Sequence, residues 1–144
     1  MKIGLERLLA SDDLKKKYSC GRIGVLCHAA SVDAELRHII DLIVQRTSLE
    51  VSCAFGPQHG LRAEKQDNMI ESSHFIHPKY KFPIFSLYGE VRRPTSEMME
   101  AFDILIVDMQ DVGCRIYTFL TTLFYCLEAC AEFEKNIVVL DRLN

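Results

Sequence analysis

Residues 51–60 read Val-Ser-Cys-Ala-Phe-Gly-Pro-Gln-His-Gly, an apolar run that stops at a glycine and a proline. This pattern predicts a buried strand that ends in a tight polar loop, because glycine and proline interrupt strands and favour turns. In sheets covered by helices, ligands bind beyond the carboxyl ends of the strands. Gln58 and His59 therefore occupy a place in the sequence where a ligand can be bound.

The rest of the chain alternates short apolar runs with helical patterns. We expect strands at residues 22–27, 49–55, 83–88, 103–108 and 136–141, and helices at residues 32–45, 94–99 and 117–134. The runs are continuously apolar, which is typical of parallel strands that are buried on both faces. The order predicts one α/β domain of three layers, with helices on both faces of a mostly parallel sheet of about five strands.

Composition narrows the function classes. A chain of 144 residues with 49% hydrophobic content is long enough for one domain with a genuine core. The 17 basic and 20 acidic residues give a net charge of −3 without a basic stripe, which argues against nucleic acids and anionic membranes as partners. The first residues lack the apolar block of a signal peptide, and no apolar run is long enough to span a bilayer. We therefore expect a cytoplasmic protein.

Cysteine usage agrees with a reducing compartment. Cys27 and Cys53, two of the six cysteines, lie inside predicted strands, which favours reduced and buried thiols over disulfides. Cys126 and Cys130 are four residues apart and share one helix face. Small core residues are the favoured interpretation of this pair, and a two-ligand metal site is the alternative.

Polar side chains follow every predicted strand. If the sheet is parallel, these segments emerge at one edge, which makes that edge the candidate site. The segments are Cys27-His28, residues 56–60, Tyr88-Gly89-Glu90, residues 108–111 and Asp141-Arg142. The alternative for Asp108 and Asp141 is that each only caps a following helix or turn. Residues 56–81 form a long polar interruption, which is typical of a functional loop.

Neither a nucleotide nor a metal is predicted. The segment after the first strand lacks the G-x-G-x-x-G turn of dinucleotide sites, and the chain has no G-x-x-x-x-G-K-[ST] phosphate loop. His74 and His77, with His59 and Asp67, offer metal-binding groups in the long loop. Their spacing does not match a recognised ligand pair, so we interpret them as exposed loop histidines and expect no cofactor.

Several blocks of the chain occur in the order seen in a known family. They include Phe55-Gly56-Pro57-Gln58-His59-Gly60, Asp108-Met109-Gln110-Asp111-Val112-Gly113 and Val139-Leu140-Asp141-Arg142, together with residues 4–9, 24–26, 85–89, 94–98 and 115–118. The chain resembles the bacterial DUF1343 family, which contains exo-β-N-acetylmuramidases. Matching blocks across nearly the whole chain are more specific than any single motif.

The resemblance implies a glycoside hydrolase that removes terminal N-acetylmuramic acid from the non-reducing end of peptidoglycan fragments. It also implies a Rossmann-like N-terminal domain and a second domain that closes the cleft. Family chains are considerably longer, and they continue as Asp-Arg-Pro-Asn-Pro where this chain reads Asp141-Arg142-Leu143-Asn144. Residues 1–144 are therefore expected to be the N-terminal domain, with the C-terminal domain as its partner.

The chain departs from the family at the residue that matters most for catalysis. Many members read Gly-Pro-Glu-His-Gly, with the glutamate as the expected catalytic acid, where this chain has Gln58. An amide cannot exchange the proton that glycosidic cleavage requires, so Glu64 or Glu71 of the same loop is the candidate to supply a carboxyl group. In addition, His28 replaces an asparagine and Ala63 a glycine.

The resemblance also implies residues that contact the substrate. Arg62, Arg115 and Arg142 match family arginines, and a guanidinium is a natural partner for the lactyl carboxylate of muramic acid. The alternative for each is a structural ion pair with Asp108, Asp111 or Asp141. His59 either donates to a sugar or braces its loop. The predicted substrate-binding set is His28, His59, Arg62, Asp108, Gln110, Asp111, Arg115, Asp141 and Arg142.

Three functions remain open at this point. The first is a muramidase-type hydrolase, the second a sugar-binding protein without turnover, and the third an interaction module without a ligand. The predicted helix at residues 117–134 carries Phe119, Leu120, Leu123, Phe124 and Leu127. This is more apolar surface than one sheet face usually covers, so part of it is expected to pack on a second domain or on a second copy of the chain.

Overall fold

A computed structural model describes residues 2–61, 74–114 and 116–142. Its helices are α1 Gly4–Ala10, α2 Asp12–Tyr18, α3 Ile39–Arg46, α4 Ser96–Glu100 and α5 Phe119–Glu132. Its strands are β1 Ile23–Cys27, β2 Val51–Gly56, β3 Phe75–Ile76, β4 Pro83–Ser86, β5 Ile104–Asp108 and β6 Asn136–Val139. Within these residues, no helix has the length and apolar character that a bilayer span requires.

The six strands form one sheet in the order β3-β4-β2-β1-β5-β6. Every neighbouring pair is parallel except β3 and β4. Successive side chains of β1 alternate between two cores, so Val25 packs with α1 and α3, and Leu26 packs with α4 and α5. The helices thus cover both faces, which confirms the predicted three-layer α/β domain and is consistent with a Rossmann-like fold.

The predicted helix at residues 32–45 is wrong in its first half, because α3 begins only at Ile39. Asp33 uses its carboxylate to accept the backbone N–H groups of Glu35 and Arg37, at 3.0 and 2.9 Å, which holds a turn in place of a helix. Leu36, inside the predicted helix, lies in the left-handed region with φ 60° and is 81% exposed. Local side-chain hydrogen bonds override the apolar spacing here.

The sheet also contains a strand that the sequence did not predict. β3 pairs antiparallel with β4 through Phe75 and Ile76, inside the segment that we expected to be a loop. Two residues are too few to produce a strand pattern, and both side chains are exposed. The remaining predicted elements are present, with ends that differ by a few residues.

Helix α5 covers one sheet face and leaves part of its own surface uncovered. Its buried side includes Cys126 and Cys130, which confirms these two as core residues. Burial raises the pKa of the Cys126 thiol to about 12 and that of Cys130 to about 11, so both are protonated and unreactive at neutral pH. Its outer side carries the α5 stripe, defined as Leu120, Phe124 and Leu127, of which Phe124 is 56% exposed.

Phe102→Ala and Phe124→Ala are a matched pair that tests this division of the surface. Phe102 is fully buried against β1 and β2, so its truncation is expected to lower the free energy of unfolding by about 3–5 kcal/mol. Phe124→Ala is expected to change it by about 0.5 kcal/mol or less. Urea denaturation of the isolated 144-residue chain measures both, and equal losses would contradict the fold.

Candidate functional site

The strand order reverses its direction between β1 and β5. From β1 the chain proceeds outward to β2 and β4, whereas β5 and β6 lie on the other side. Open parallel sheets bind ligands in the crevice beyond the carboxyl ends of the strands at such a point. His28 and Asp108 lie at this place, since Cys27 of β1 pairs in register with Asp108 of β5.

A buried ion pair holds this edge together. The Asp108 carboxylate is fully buried and accepts from Arg142 through Nε to Oδ1 at 2.5 Å and through Nη2 to Oδ2 at 2.8 Å. Arg142 Nη2 also donates to the carbonyl oxygen of Val32 at 2.9 Å. A bidentate pair of this kind satisfies both carboxylate oxygens, so the structural ion pair that was the alternative for Arg142 is present. A substrate-binding role for either residue stays a prediction.

His28 links β1 to β5 beside this pair. Its Nδ1 is 3.1 Å from Ser31 Oγ, its Nε2 is 3.4 Å from the carbonyl oxygen of Gln110, and the Ser31 hydroxyl donates to the carbonyl oxygen of Asp108. Burial lowers the pKa of the His28 imidazole, so the neutral ring is favoured at pH 7. The ring of Phe119, the first residue of α5, meets it edge-on. In this arrangement His28 connects protein groups through both ring nitrogens.

The loop after β2 is a tight turn, as the sequence predicts. Gly60 N–H donates to the carbonyl oxygen of Pro57 at 2.9 Å, and His59 has φ 68°. A positive φ at the third position is the feature of a type II turn, and it is costly for a residue with a side chain. The added Cβ of any other residue at Gly56 would lie 3.0 Å from the backbone nitrogen of Leu61, so the turn closes tightly on the strand end.

Gln58 points into the protein and not toward solvent. It is only 5% exposed, and its Oε1 accepts two hydrogen bonds from Thr118, one from the backbone N–H and one from Oγ1, both at 3.1 Å. Thr118 directly precedes α5, and its own side chain accepts no hydrogen bond from the helix. The Gln58 amide therefore satisfies the backbone N–H of the N-cap residue of α5, one of the donors that a helix start leaves without an intrahelical partner. Thr118 was not among the predicted site residues, although it lies in the matching block at residues 115–118.

The other predicted residues occupy different settings along this edge. Asp111 Oδ2 accepts from the N–H of Gly113 at 3.0 Å, which makes it the cap of a turn. Asp141 is exposed, and its carbonyl oxygen accepts from Gly4 N–H at 2.8 Å. The His59 ring lies edge-on to Tyr117, with centroids 6.2 Å apart. Arg62, Glu64, Asp67, Glu71 and Arg115 lie outside the described residues.

The two remaining histidines bind backbone groups, and the interpretation of both as exposed is wrong for His77, which is only 7% exposed. His74 Nδ1 accepts from the N–H of Ser86 at 3.0 Å, and His77 Nδ1 accepts from Lys79 and Tyr80 N–H. Residues 2–61, 74–114 and 116–142 contain no group of three or more metal-ligating side chains. A cavity of about 240 Å³ opens beside His77. Its lining residues are Ala29, His38, Asp41, Leu61 and His77.

Comparison with known proteins identifies the family of this chain. The family described as "Exo-beta-N-acetylmuramidase NamZ, N-terminal" matches residues 23–144. The chain belongs to the NamZ family. The chain is 38% identical, over 141 residues, to the peptidoglycan β-N-acetylmuramidase NamZ of Bacillus subtilis (strain 168). These residues are 98% of this chain and 33% of that relative.

Two solved structures share the NamZ-family fold. Both are crystal structures of DUF1343 family proteins from Bacteroides fragilis NCTC 9343, with TM-scores of 0.83 and 0.76 and sequence identities of 33% and 32%. Each comparison covers 99% of this chain and 35% of the other. The chain thus spans about a third of the length of the relatives that it matches. These findings confirm the resemblance to the DUF1343 family.

Asp108→Asn tests the buried ion pair. An amide of the same shape leaves the buried Arg142 guanidinium without its counter-charge, so we expect the free energy of unfolding to fall by about 3–5 kcal/mol. Asp111→Asn is the control, because Asp111 only caps a turn, and the expected loss is about 1 kcal/mol or less. Urea denaturation of both variants decides the matter, and a mild effect of Asp108→Asn would show that the pair contributes little.

The buried imidazole of His28 and the partly buried one of His38 predict a pH dependence of the free energy of unfolding. Burial lowers the pKa of His28 and of His38, whose Nδ1 accepts from Ile40 N–H at the start of α3. The unfolded chain therefore binds more protons below the ordinary value of about 6.5. The free energy of unfolding is therefore highest above that pH, and it decreases as the pH falls below about 6.5 and the unfolded chain takes up protons. Urea midpoints between about pH 7.5 and pH 5 should decline, and His38→Gln should flatten the decline.

Proposed function

We propose that residues 1–144 form the Rossmann-like N-terminal domain of an exo-β-N-acetylmuramidase-type glycosidase. Its strand-end edge would bind the terminal N-acetylmuramic acid of peptidoglycan fragments. The proposal is supported by the family and by the name of the Bacillus subtilis relative. It is also supported by the collection of hydrogen-bonding groups at the switch point of the sheet.

The contact between Gln58 and Thr118 carries the proposal. Two donors at the start of α5 converge on Oε1 of a buried side chain, and the same donors and the helix dipole would also stabilise a carboxylate oxygen. The position therefore suits the glutamate that the family resemblance implies. In this chain it holds an amide, which takes part in hydrogen bonding but not in proton transfer.

The carboxyl group for catalysis must then come from another residue. Asp108 is unsuitable because Arg142 occupies both of its oxygens and the side chain is fully buried. We propose that Glu64 or Glu71 supplies this group in the hydrolase. Arg62, Arg115, His59, Asp111 and Asp141 remain our candidates for substrate contacts.

A second candidate function is binding of the same sugar without hydrolysis. The observation that favours it is again the amide at position 58, since glycosidases of this kind generally act through a pair of carboxyl groups. Such a protein would retain its affinity for the terminal muramic acid and lack turnover.

The uncovered α5 stripe supports a proposal about the rest of the protein. The relatives are about three times as long as this chain. In the part of the chain that the structure describes, the side chains of Leu120, Phe124 and Leu127 are exposed to solvent. We propose that the C-terminal domain of the natural protein packs on this stripe, and a homodimer through the same stripe is the alternative. We also propose a cytoplasmic location, which the free, buried cysteines support.

Hydrolysis of a chromogenic β-N-acetylmuramide by the natural protein tests the proposed function. We expect release of the chromophore, and we expect Glu64→Gln or Glu71→Gln to lower the rate by about 100-fold or more, because one of them would remove the transferable proton. Glu132→Gln is the control and should keep the full rate, because Glu132 is exposed and lies at the end of α5 opposite to Thr118.

The alternative outcomes of this assay are distinct. Binding of the muramide without release, followed by release after Gln58→Glu, would establish the sugar-binding function in place of the hydrolase. If both glutamate variants keep the wild-type rate, neither residue supplies the acid. Absence of both binding and hydrolysis would contradict the proposal as a whole.

A further inference from the structure

The orientation of the Gln58 amide is determined by its partner. The oxygen and nitrogen of an amide have similar shapes, so the hydrogen-bonding partner decides which atom lies where. The backbone N–H of Thr118 can only donate, and it faces the Gln58 side chain at 3.1 Å. The facing atom must therefore be Oε1. The Thr118 hydroxyl adds a second hydrogen bond to the same oxygen, at 3.1 Å.

This orientation leaves the amide nitrogen as the group that faces away from α5. Only 5% of Gln58 is exposed to solvent. Nevertheless, no acceptor among the described residues pairs with its Nε2. An amide nitrogen carries two hydrogens, and a buried donor without an acceptor is costly. Natural proteins keep such groups rarely, and often where a ligand or water completes the hydrogen bond.

The surrounding backbone fixes the position of this nitrogen. Gln58 lies in the turn closed by Pro57 and Gly60, in which His59 adopts φ 68°. A backbone strained in this way persists only when its surroundings hold it in place. The turn and the α5 terminus thus hold the side chain from opposite ends, at the edge where the sugar site is proposed.

We propose that Thr118 is a positioning residue that directs the Gln58 Nε2 hydrogens toward an acceptor oxygen of the bound sugar. The inference depends on the proposed function, because it assumes that this edge binds a muramic acid derivative. The inference adds to that function which hydrogen-bonding group of the ligand position 58 prefers. Position 58 recognises a ligand group that accepts hydrogen bonds, such as a carbonyl, a carboxylate or a hydroxyl oxygen, and Thr118 sets that preference without contacting the ligand.

A double-mutant cycle on the natural protein tests the inference, with N-acetylmuramic acid as the probe and Kd measured by isothermal titration calorimetry. Gln58→Met removes the donor and keeps an unbranched side chain, and we expect it to raise Kd about tenfold or more. Thr118→Val keeps the shape and removes the hydroxyl donor, and we expect a rise of about three- to tenfold. Thr118→Ser keeps the hydroxyl, and its Kd should stay within about twofold of the wild-type value.

The cycle separates positioning from a merely structural role. If Thr118 acts through Gln58, Thr118→Val should change Kd by less than about twofold in the Gln58→Met background. An equal rise in both backgrounds, or no rise in the wild-type background, would overturn the inference. Urea denaturation of each variant reports the structural effect separately, and Thr118→Ala repeats the comparison if the valine variant does not fold.

The same experiment distinguishes the inference from the proposed function. Failure of the wild-type protein to bind N-acetylmuramic acid would overturn the proposed sugar site, and the inference with it. Binding by the wild type that is indifferent to Thr118→Val would overturn the inference alone. Binding that weakens with Thr118→Val and recovers with Thr118→Ser supports both.

Discussion

The pairing of Asp108 with Arg142 is the interaction on which the candidate site depends. A carboxylate buried at the end of β5 needs a counter-charge and filled hydrogen-bonding positions, and the Arg142 guanidinium supplies both. The same guanidinium donates to the carbonyl of Val32. One side chain thus connects β5, the segment after β6 and the turn that follows β1. This ion pair gives the carboxyl edge of the sheet a fixed shape before any ligand arrives.

Much of the fold was predictable because each long strand has a recognisable local sequence pattern. Continuous apolar runs identified the five parallel strands, and the polar residues that follow them identified the edge where Gln58 and Asp108 lie. The start of α3 was not predictable from apolar spacing, because the Asp33 carboxylate forms a turn that places Leu36 in solvent. The strand β3 escaped prediction because two residues carry no periodic signal.

The details of the site were less accessible to sequence reasoning. The hydrogen bonds between Gln58 and Thr118 join residues 60 positions apart, and no local pattern indicates such a contact. Likewise, the sequence left open whether Arg142 binds a substrate or an aspartate, and the fold brings it to Asp108. The family resemblance proposed the site positions, and the structure shows the hydrogen bonds of Gln58 and Arg142.

In the proposed site, the Gln58 amide donates to a ligand at this edge. The most direct measurement is the ¹⁵N–¹H NMR signal of the Gln58 side-chain amide, assigned by its loss in Gln58→Glu, during titration with N-acetylmuramic acid. We expect this pair of signals to shift along the same saturation curve as the binding isotherm. If the sugar binds and moves other signals while the Gln58 amide signals stay in place, the Gln58 amide does not donate to the sugar.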